Sequence, residues 1–112
     1  MSSVHRFVVP ASHPALPGHF PGHPVVPGVV LLAQVQAAIE AAHGPLRALR
    51  LPQAKFLRPL LPGEAARVEF EASAAAPAGR RWRFRVLREA DGALLASGEL
   101  GEPGTPEGAG DA

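Results

Sequence analysis

A glycine- and proline-rich loop that leads directly into an apolar segment constrains this chain more than any other feature. Residues 18–28 have the sequence Gly-His-Phe-Pro-Gly-His-Pro-Val-Val-Pro-Gly, and residues 29–39 carry no charged side chain. Because proline fixes φ and glycine permits positive φ, the two Pro-Gly pairs predict two defined bends ahead of a helix. This helix has no charge before Glu40, so we expect most of its circumference to be buried.

His19 lies in this loop, just ahead of the predicted helix start. The start of a helix offers unpaired backbone N–H groups and a partial positive charge of about half a unit, which together stabilise an oxyanion. An imidazole transfers protons near neutral pH. The arrangement therefore predicts a site that joins acid/base chemistry to an oxyanion-binding helix start. The structural alternative is a turn histidine whose ring nitrogens are satisfied by backbone groups.

The composition is that of an ordinary globular domain. The chain has 112 residues, of which 46% are hydrophobic and 19% charged, and its net charge of +1 favours neither nucleic acid nor a membrane surface as a partner. It contains no cysteine, which excludes disulfides, thiolate catalysis and cysteine-ligated metals. The histidines do not show a metal-ligand spacing. We expect no membrane span, no signal peptide and a cytoplasmic location.

The pattern along the chain predicts one strand, a long irregular loop, one helix and then four antiparallel strands. The predicted segments are residues 4–9 (strand), 10–27 (loop), about 28–42 (helix), and 46–60, 64–73, 81–87 and 93–100 (extended). Asp91-Gly92 is a strong hairpin signal between the last two. Residues 1–100 are expected to form a single domain, and residues 101–112, which lack large apolar side chains, a disordered tail.

This order of elements predicts an α+β fold in which an antiparallel sheet wraps around a central buried helix. The third and fourth strands alternate, with residues such as Val68 and Phe84 on one face and charged residues on the other. A chain of this length is too small to cover the helix and also complete a pocket. We therefore expect at least a dimer.

Two segments resemble one family. His19-Phe20-Pro21-Gly22-x-Pro24-x-x-Pro27-Gly28-Val29 is similar to the loop–helix motif of the β-hydroxyacyl-acyl carrier protein dehydratases, which have the hot-dog fold. Residues 56–64, Phe-x-Arg-Pro-x-x-Pro-Gly-Glu, match a second segment of that family, and the resemblance spans about residues 10–100. The short length and residues 11–18 also resemble small dehydratase-like proteins of bacterial aryl-polyene and pigment clusters.

The resemblance implies a lyase that eliminates water from a 3-hydroxyacyl thioester. The substrate would be carried on the phosphopantetheine of an acyl carrier protein, with no other cofactor and no metal. His19 would be the acid/base, and the backbone N–H of Gly28 would bind the thioester carbonyl. We place Phe20, Val29 and Gln34 beside Gly28 in the substrate-binding region. For Gln34 a structural bond to the sheet or to a dimer mate is the alternative.

One element of the family's chemistry is replaced. In these dehydratases the histidine works with a carboxylate on the central helix of the partner subunit, fourteen residues beyond the histidine, and that position is Ala33 here. Glu40 lies two turns further, about 10 Å along the helix. We therefore expect dehydration that is impaired or that depends on a partner. The expected assembly is a homodimer or higher homo-oligomer, or else a heterodimer with a paralogue that carries the carboxylate. A non-catalytic acyl-thioester-binding subunit and a hot-dog acyl thioesterase are the alternatives.

A row of arginines on the fourth predicted strand offers a surface for an acidic carrier. Arg81, Arg83 and Arg85 alternate with apolar residues, Arg88 extends the row, and Arg58 could serve docking equally well. The alternative is a solvated outer face on which these charges pair across strands with Glu69 and Glu71.

Overall fold

Five antiparallel strands form a single sheet with one helix packed against it. The computed structural model describes residues 3–10, 12, 25–46, 50–74 and 80–102. The elements are β1 (Ser3–Val8), α1 (Gly28–His43), β2 (Arg50–Phe56), β3 (Ala65–Ala74), β4 (Arg81–Arg88) and β5 (Leu94–Gly101). The strand order is β1-β3-β4-β5-β2, so β1 and β2 lie at the two edges. The predicted succession of elements is confirmed, with shifts at their ends.

The alternation of β3 and β4 decides which face of the sheet meets the helix. Val68 pairs with Val86 and Phe70 with Phe84, and all four side chains are buried. The residues between them point to the other face of the sheet because successive side chains of a strand alternate. That outer face carries the charged residues of β3 and the arginines of β4 except Arg88, which is in register with the buried Ala66 and so follows the helix-facing side.

Helix α1 buries one face and leaves the other exposed. Its buried residues are Val30, Leu31, Val35, Ala38 and Ile39, and it packs against β1, β3 and β4. On the opposite side Val29 is 72% exposed, and Ala33 and Ala37 are exposed as well. The expectation that most of the circumference is buried is therefore wrong for the single chain, because one sheet covers only one side of a helix.

The turns follow the local sequence signals. The β4–β5 hairpin turns at Asp91-Gly92, as predicted, and Gly92 adopts a φ of +69°, which favours glycine. The Asp91 carboxylate accepts the N–H of Ala93 at 3.0 Å. At the other end of the fold, the helix finishes at His43, and the Gly44 N–H donates to the Glu40 carbonyl at 2.8 Å.

Two residues assigned to the tail belong to the sheet instead. Strand β5 continues through Gly101, and the Glu102 side chain is only 8% exposed. Glu102 forms a two-point ion pair with Arg80, with N···O distances of 2.8 and 3.0 Å. Arg80 also donates to the carbonyl of His43 at the helix end. Strand pairing of Gly101 and the ion pair of Glu102 thus extend the ordered domain two residues past the expected boundary. Residues 103–112 lie outside the described residues, and the disordered tail stays a prediction for them.

No helix in the described ranges has the length and apolarity needed to cross a lipid bilayer.

The close approach of β5 to β2 generates a prediction at Gly98. A Cβ at this position would lie 2.1 Å from the carbonyl oxygen of Gln53 and 2.9 Å from the Cα of Ala54, both backbone atoms. Gly98→Ala should therefore lower the free energy of unfolding by about 1–3 kcal/mol, measured by urea denaturation. Ser97→Ala, on the same strand, is the control and should change it by less than about 0.5 kcal/mol. Equal unfolding midpoints for the two variants would contradict this packing.

Candidate functional site

The start of α1 packs tightly against the end of β2. A Cβ at Gly28 would lie 2.9 Å from Cζ and 3.0 Å from Cε1 of the Phe56 ring. Only a residue without a side chain fits there unless the ring moves. The glycine of the loop–helix motif and the phenylalanine of the second matching segment, which are far apart in sequence, are therefore complementary parts of one contact.

The backbone hydrogen bonds of the helix begin at Val30, two residues after its start. The Pro27 carbonyl accepts the N–H groups of Val30 and Leu31, at 2.9 and 3.3 Å. The N–H groups of Gly28 and Val29 precede these and have no backbone partner among the described residues. A helix start of this kind stabilises an oxygen that gains negative charge.

A cavity of about 570 Å³ opens beside Gly28. Its walls come from the entry to α1, the first turns of the helix and the segment after β2. The lining residues include Val26, Leu31, Leu32, Phe56 and Leu60. Most of these side chains are apolar, and Arg58 lies among the lining residues as well. Such a cavity suits an acyl chain or another apolar group beside a polar head.

Backbone hydrogen bonds fix the two segments that form the cavity. The Val26 N–H donates to the Leu60 carbonyl at 2.8 Å, joining the entry of the helix to the segment after β2. The N–H groups of Leu57 and Arg58 donate to the Leu95 carbonyl on β5, at 2.8 and 3.3 Å. The segment from Leu57 to Leu61, which we call the rim segment, is therefore held from both sides.

Arg58 differs from the arginines of β4 in having no carboxylate partner among the described residues. It is exposed and lines the cavity beside Gly28. Since a guanidinium without an internal partner is available to an external anion, Arg58 is the arginine of the four candidates that lies beside the cavity.

Arg81, Arg83 and Arg85 lie on the face of the sheet away from the helix, and each has a carboxylate within 4 Å. Arg85 pairs with Glu69, its cross-strand neighbour in register. Arg81 and Arg83 lie 3.8 and 3.9 Å from Glu99 of β5. The predicted pairing is confirmed for Glu69, whereas Glu99 takes the place assigned to Glu71, because β5 pairs with the other side of β4.

The charge of Glu69 reflects this pairing. The pKa of its carboxyl is lowered, first by the hydrogen bond that Arg67 donates and then by Arg85, against the opposing effect of burial. The arginine row is therefore a mixed-charge surface and not a uniformly basic one. Docking of an acidic partner through this row is less favoured by the charges than docking beside Arg58.

The remaining residues of interest on the helix, Val29, Gln34 and Ala33, differ in exposure. Val29 is exposed beside the cavity, which it helps to line. Gln34 is half-buried, and its amide has no hydrogen-bond partner in the described part of the chain, so no bond from it to the described sheet supports the structural alternative. Ala33 is exposed, one turn beyond Val29 on the same face.

Glu40 does not replace the carboxylate missing at Ala33. One of its carboxylate oxygens accepts the Leu46 N–H at 3.0 Å, so the side chain is engaged at the end of the helix, far from Gly28. His19 and Phe20 lie outside the described residues. Within the described ranges no group of three or more His, Cys, Asp and Glu side chains is arranged to hold a metal ion.

Sequence reasoning missed two contributions to the site. Phe56 was noted only as part of a matching segment, and its contact with Gly28 required the fold to bring the two together. Arg88 was grouped with the arginine row, yet its guanidinium donates to the Pro59 carbonyl of the rim segment at 3.0 Å. The signal for Arg88 is its position at the start of the Asp91-Gly92 hairpin.

Solved structures with the same fold come from enzymes of several kinds. The chain aligns with the dehydratase heterocomplex ApeI:P from Xenorhabdus doucetiae at a TM-score of 0.68 and 18% identity, covering 89% of this chain and 85% of that one. The R-hydratase PhaJ1 from Pseudomonas aeruginosa aligns at a TM-score of 0.65 and 16% identity, covering 94% and 81%. At these identities the alignments establish the fold, which is the predicted hot-dog fold.

Sequence relatives are closer. The 3-hydroxyacyl-(acyl-carrier-protein) dehydratase FabZ of Allorhizobium ampelinum is 36% identical over 101 residues, which is 83% of this chain and 64% of the relative. The enzyme of the same name from Myxococcus xanthus is 38% identical over 102 residues, or 82% and 65%. The chain thus spans just under two thirds of the length of these curated relatives.

The family model described as ApeI dehydratase matches residues 2–99, which includes the candidate site and every strand but the last residues of β5. The match extends over both segments from which the resemblance was drawn. The chain belongs to the ApeI-like dehydratase family.

Proposed function

We propose that this chain is a cytoplasmic dehydratase subunit that acts on a 3-hydroxyacyl thioester carried by an acyl carrier protein. The observation that supports this proposal is the helix start at Gly28 beside an apolar cavity with Arg58 among its lining residues, in a chain of a dehydratase family. The apolar walls suit the acyl chain, the helix amides suit the thioester oxygen, and the guanidinium suits an anionic carrier.

The chemistry assigns a separate role to each group. The α-proton of a thioester is weakly acidic, so a base must remove it while hydrogen bonds stabilise the oxygen of the developing enolate. We assign the base to His19 and the oxygen-binding N–H to Gly28. The hydroxyl group leaves the β-carbon as water once it receives a proton, and a double bond forms between the α- and β-carbons.

The donor of that last proton is the incomplete part of the site. The corresponding helix position in this chain is Ala33, whose side chain has no acid. Because Ala33 lies on the exposed face of α1, this position is open to a second subunit. We propose a heterodimer in which His19 of this chain faces a carboxylate on the helix of a paralogous partner, which gives one complete site per dimer.

A heterodimer predicts complementation on mixing. Adding a purified paralogue that carries the helix carboxylate should raise dehydration by about 10²- to 10⁴-fold over this chain alone, the usual effect of one acid/base group. The enoyl absorbance formed from a 3-hydroxyacyl carrier substrate measures the rate. The paralogue's own histidine is replaced by alanine in the mixture, so that activity requires His19 of this chain.

The His19→Ala variant is the control for this mixture and should abolish the gain. Acyl-carrier binding that His19→Ala leaves unchanged, with no turnover in any mixture, would instead identify a non-catalytic binding subunit. Release of free thiol without enoyl formation would identify a thioesterase.

Restoring the acid on the helix is an independent test. Ala33→Glu should increase dehydration by this chain alone, by about 10²-fold or more, if two copies pair so that the new carboxylate faces His19 of the partner copy. Ala37→Glu, one turn further along the same exposed face, is the matched control because it adds the same charge at the wrong distance. Equal rates for both variants would contradict the assignment.

Carrier recognition through Arg58 makes a prediction about KM. Arg58→Gln should raise KM for the carrier-borne substrate by about fivefold and weaken its dependence on salt, because it removes a rim charge. Arg85→Gln is the matched control, since Arg85 is already paired with Glu69 on the outer face. A larger KM effect for Arg85→Gln than for Arg58→Gln would place the carrier on the arginine row.

A further inference from the structure

The guanidinium of Arg88 connects the β4–β5 hairpin to the rim segment. Its side chain is 19% exposed. One nitrogen, Nη2, donates to the Pro59 carbonyl at 3.0 Å, and the other, Nη1, donates to the Asp91 carboxylate at the same distance. Pro59 directly follows Arg58, so this bond fixes the backbone next to the proposed docking residue.

Two carboxylates surround this guanidinium and extend the connection. Glu64 Oε1 lies 3.5 Å from Arg88 Nε and accepts the Leu61 N–H at 2.9 Å. Asp91 accepts the Ala93 N–H, and that hydrogen bond, followed by the one from Arg88, lowers the pKa of its carboxyl. The Asp91 carboxylate therefore stays ionised near neutral pH, and with Glu64 on the other side it holds Arg88 in its orientation toward the rim segment.

The position of Arg88 distinguishes it from the other arginines of β4. Arg81, Arg83 and Arg85 pair with carboxylates of neighbouring strands and are not among the described residues that line the cavity. Arg88 instead binds a backbone carbonyl of the segment that supplies Leu57, Arg58 and Leu60 to the cavity. The hydrogen bond from the Val26 N–H to the Leu60 carbonyl connects the same segment to the entry of α1.

We propose that Arg88 is a positioning residue of the site, which sets the placement of the rim segment and, through it, of Arg58 and the helix entry. Its kinetic consequence rests on the proposed function, whereas its effect on the rim segment does not. Arg88 contacts neither substrate nor carrier in this scheme. Its effect reaches them only through the backbone that it binds.

Hydrogen exchange tests the positioning itself. In Arg88→Gln the N–H groups of Leu61 and Val26 should exchange about tenfold faster than in the wild type, since a charged hydrogen bond to the segment is lost. The N–H groups in the middle of β4 should keep their rates. Arg6→Gln is the matched control. It removes an exposed arginine of β1, which pairs with Glu89 and lies away from the cavity.

The kinetic test separates positioning from general destabilisation. Arg88→Gln should raise KM for a carrier-borne 3-hydroxyacyl substrate by about fivefold and change KM for a short carrier-free thioester by less than twofold. Arg88→Lys, which keeps the charge and one donor, should recover part of the loss. Equal effects on both substrates would show a merely structural role.

The outcomes keep this inference apart from the proposed function. One outcome is that the N–H groups of Leu61 and Val26 exchange faster only in Arg88→Gln, while neither the wild type nor any variant or mixture turns over substrate. In that case the positioning role holds and the proposed function fails. Unchanged exchange at Leu61 and Val26, or an equal increase throughout β4, would overturn the inference regardless of activity. Should Arg88→Gln not fold, the exchange and kinetics of Arg88→Lys decide the matter in the same way, with a smaller expected change.

Discussion

The burial of one apolar face of α1 against the sheet is the interaction on which the rest of this structure depends. Val30, Val35 and Ile39 are at most 6% exposed, and burying each such side chain stabilises the fold by roughly 1.5–3 kcal/mol. Their spacing fixes the rotation of the helix about its own axis. That rotation places the helix start at the end of β2 and leaves Val29, Ala33 and Ala37 on the uncovered side.

Close packing at Gly28 and hydrogen bonds to the backbone assemble the candidate site. The Phe56 ring occupies the space that a side chain at Gly28 would need. Hydrogen bonds from Val26, Leu57 and Arg88 then hold the segment after β2 in place. The helix amides and the cavity are consequently pre-formed in the single chain, and pre-formed donors stabilise developing charge without reorganisation.

The outer face of the sheet and the exposed face of α1 differ in charge. Arg81, Arg83 and Arg85 each have a carboxylate within 4 Å, so the charges on the outer face of the sheet are paired. Exposed pairs of this kind contribute little to stability, but they weaken the attraction for an acidic partner. The exposed face of the helix, in contrast, is uncharged at Ala33. The small side chain there suits a close approach by another subunit.

The sequence by itself determined the order of elements, the Asp91-Gly92 hairpin, the importance of Gly28 and the dehydratase resemblance, because these depend on local conformational preferences and short motifs. Only the tertiary structure decided which helix face is buried, that Phe56 contacts Gly28, and that Arg88 belongs to the rim segment while its neighbours do not. These depend on residues distant in sequence meeting in space. Each of these contacts joins segments that lie far apart in the chain, so it forms only once the strands and the helix have packed together.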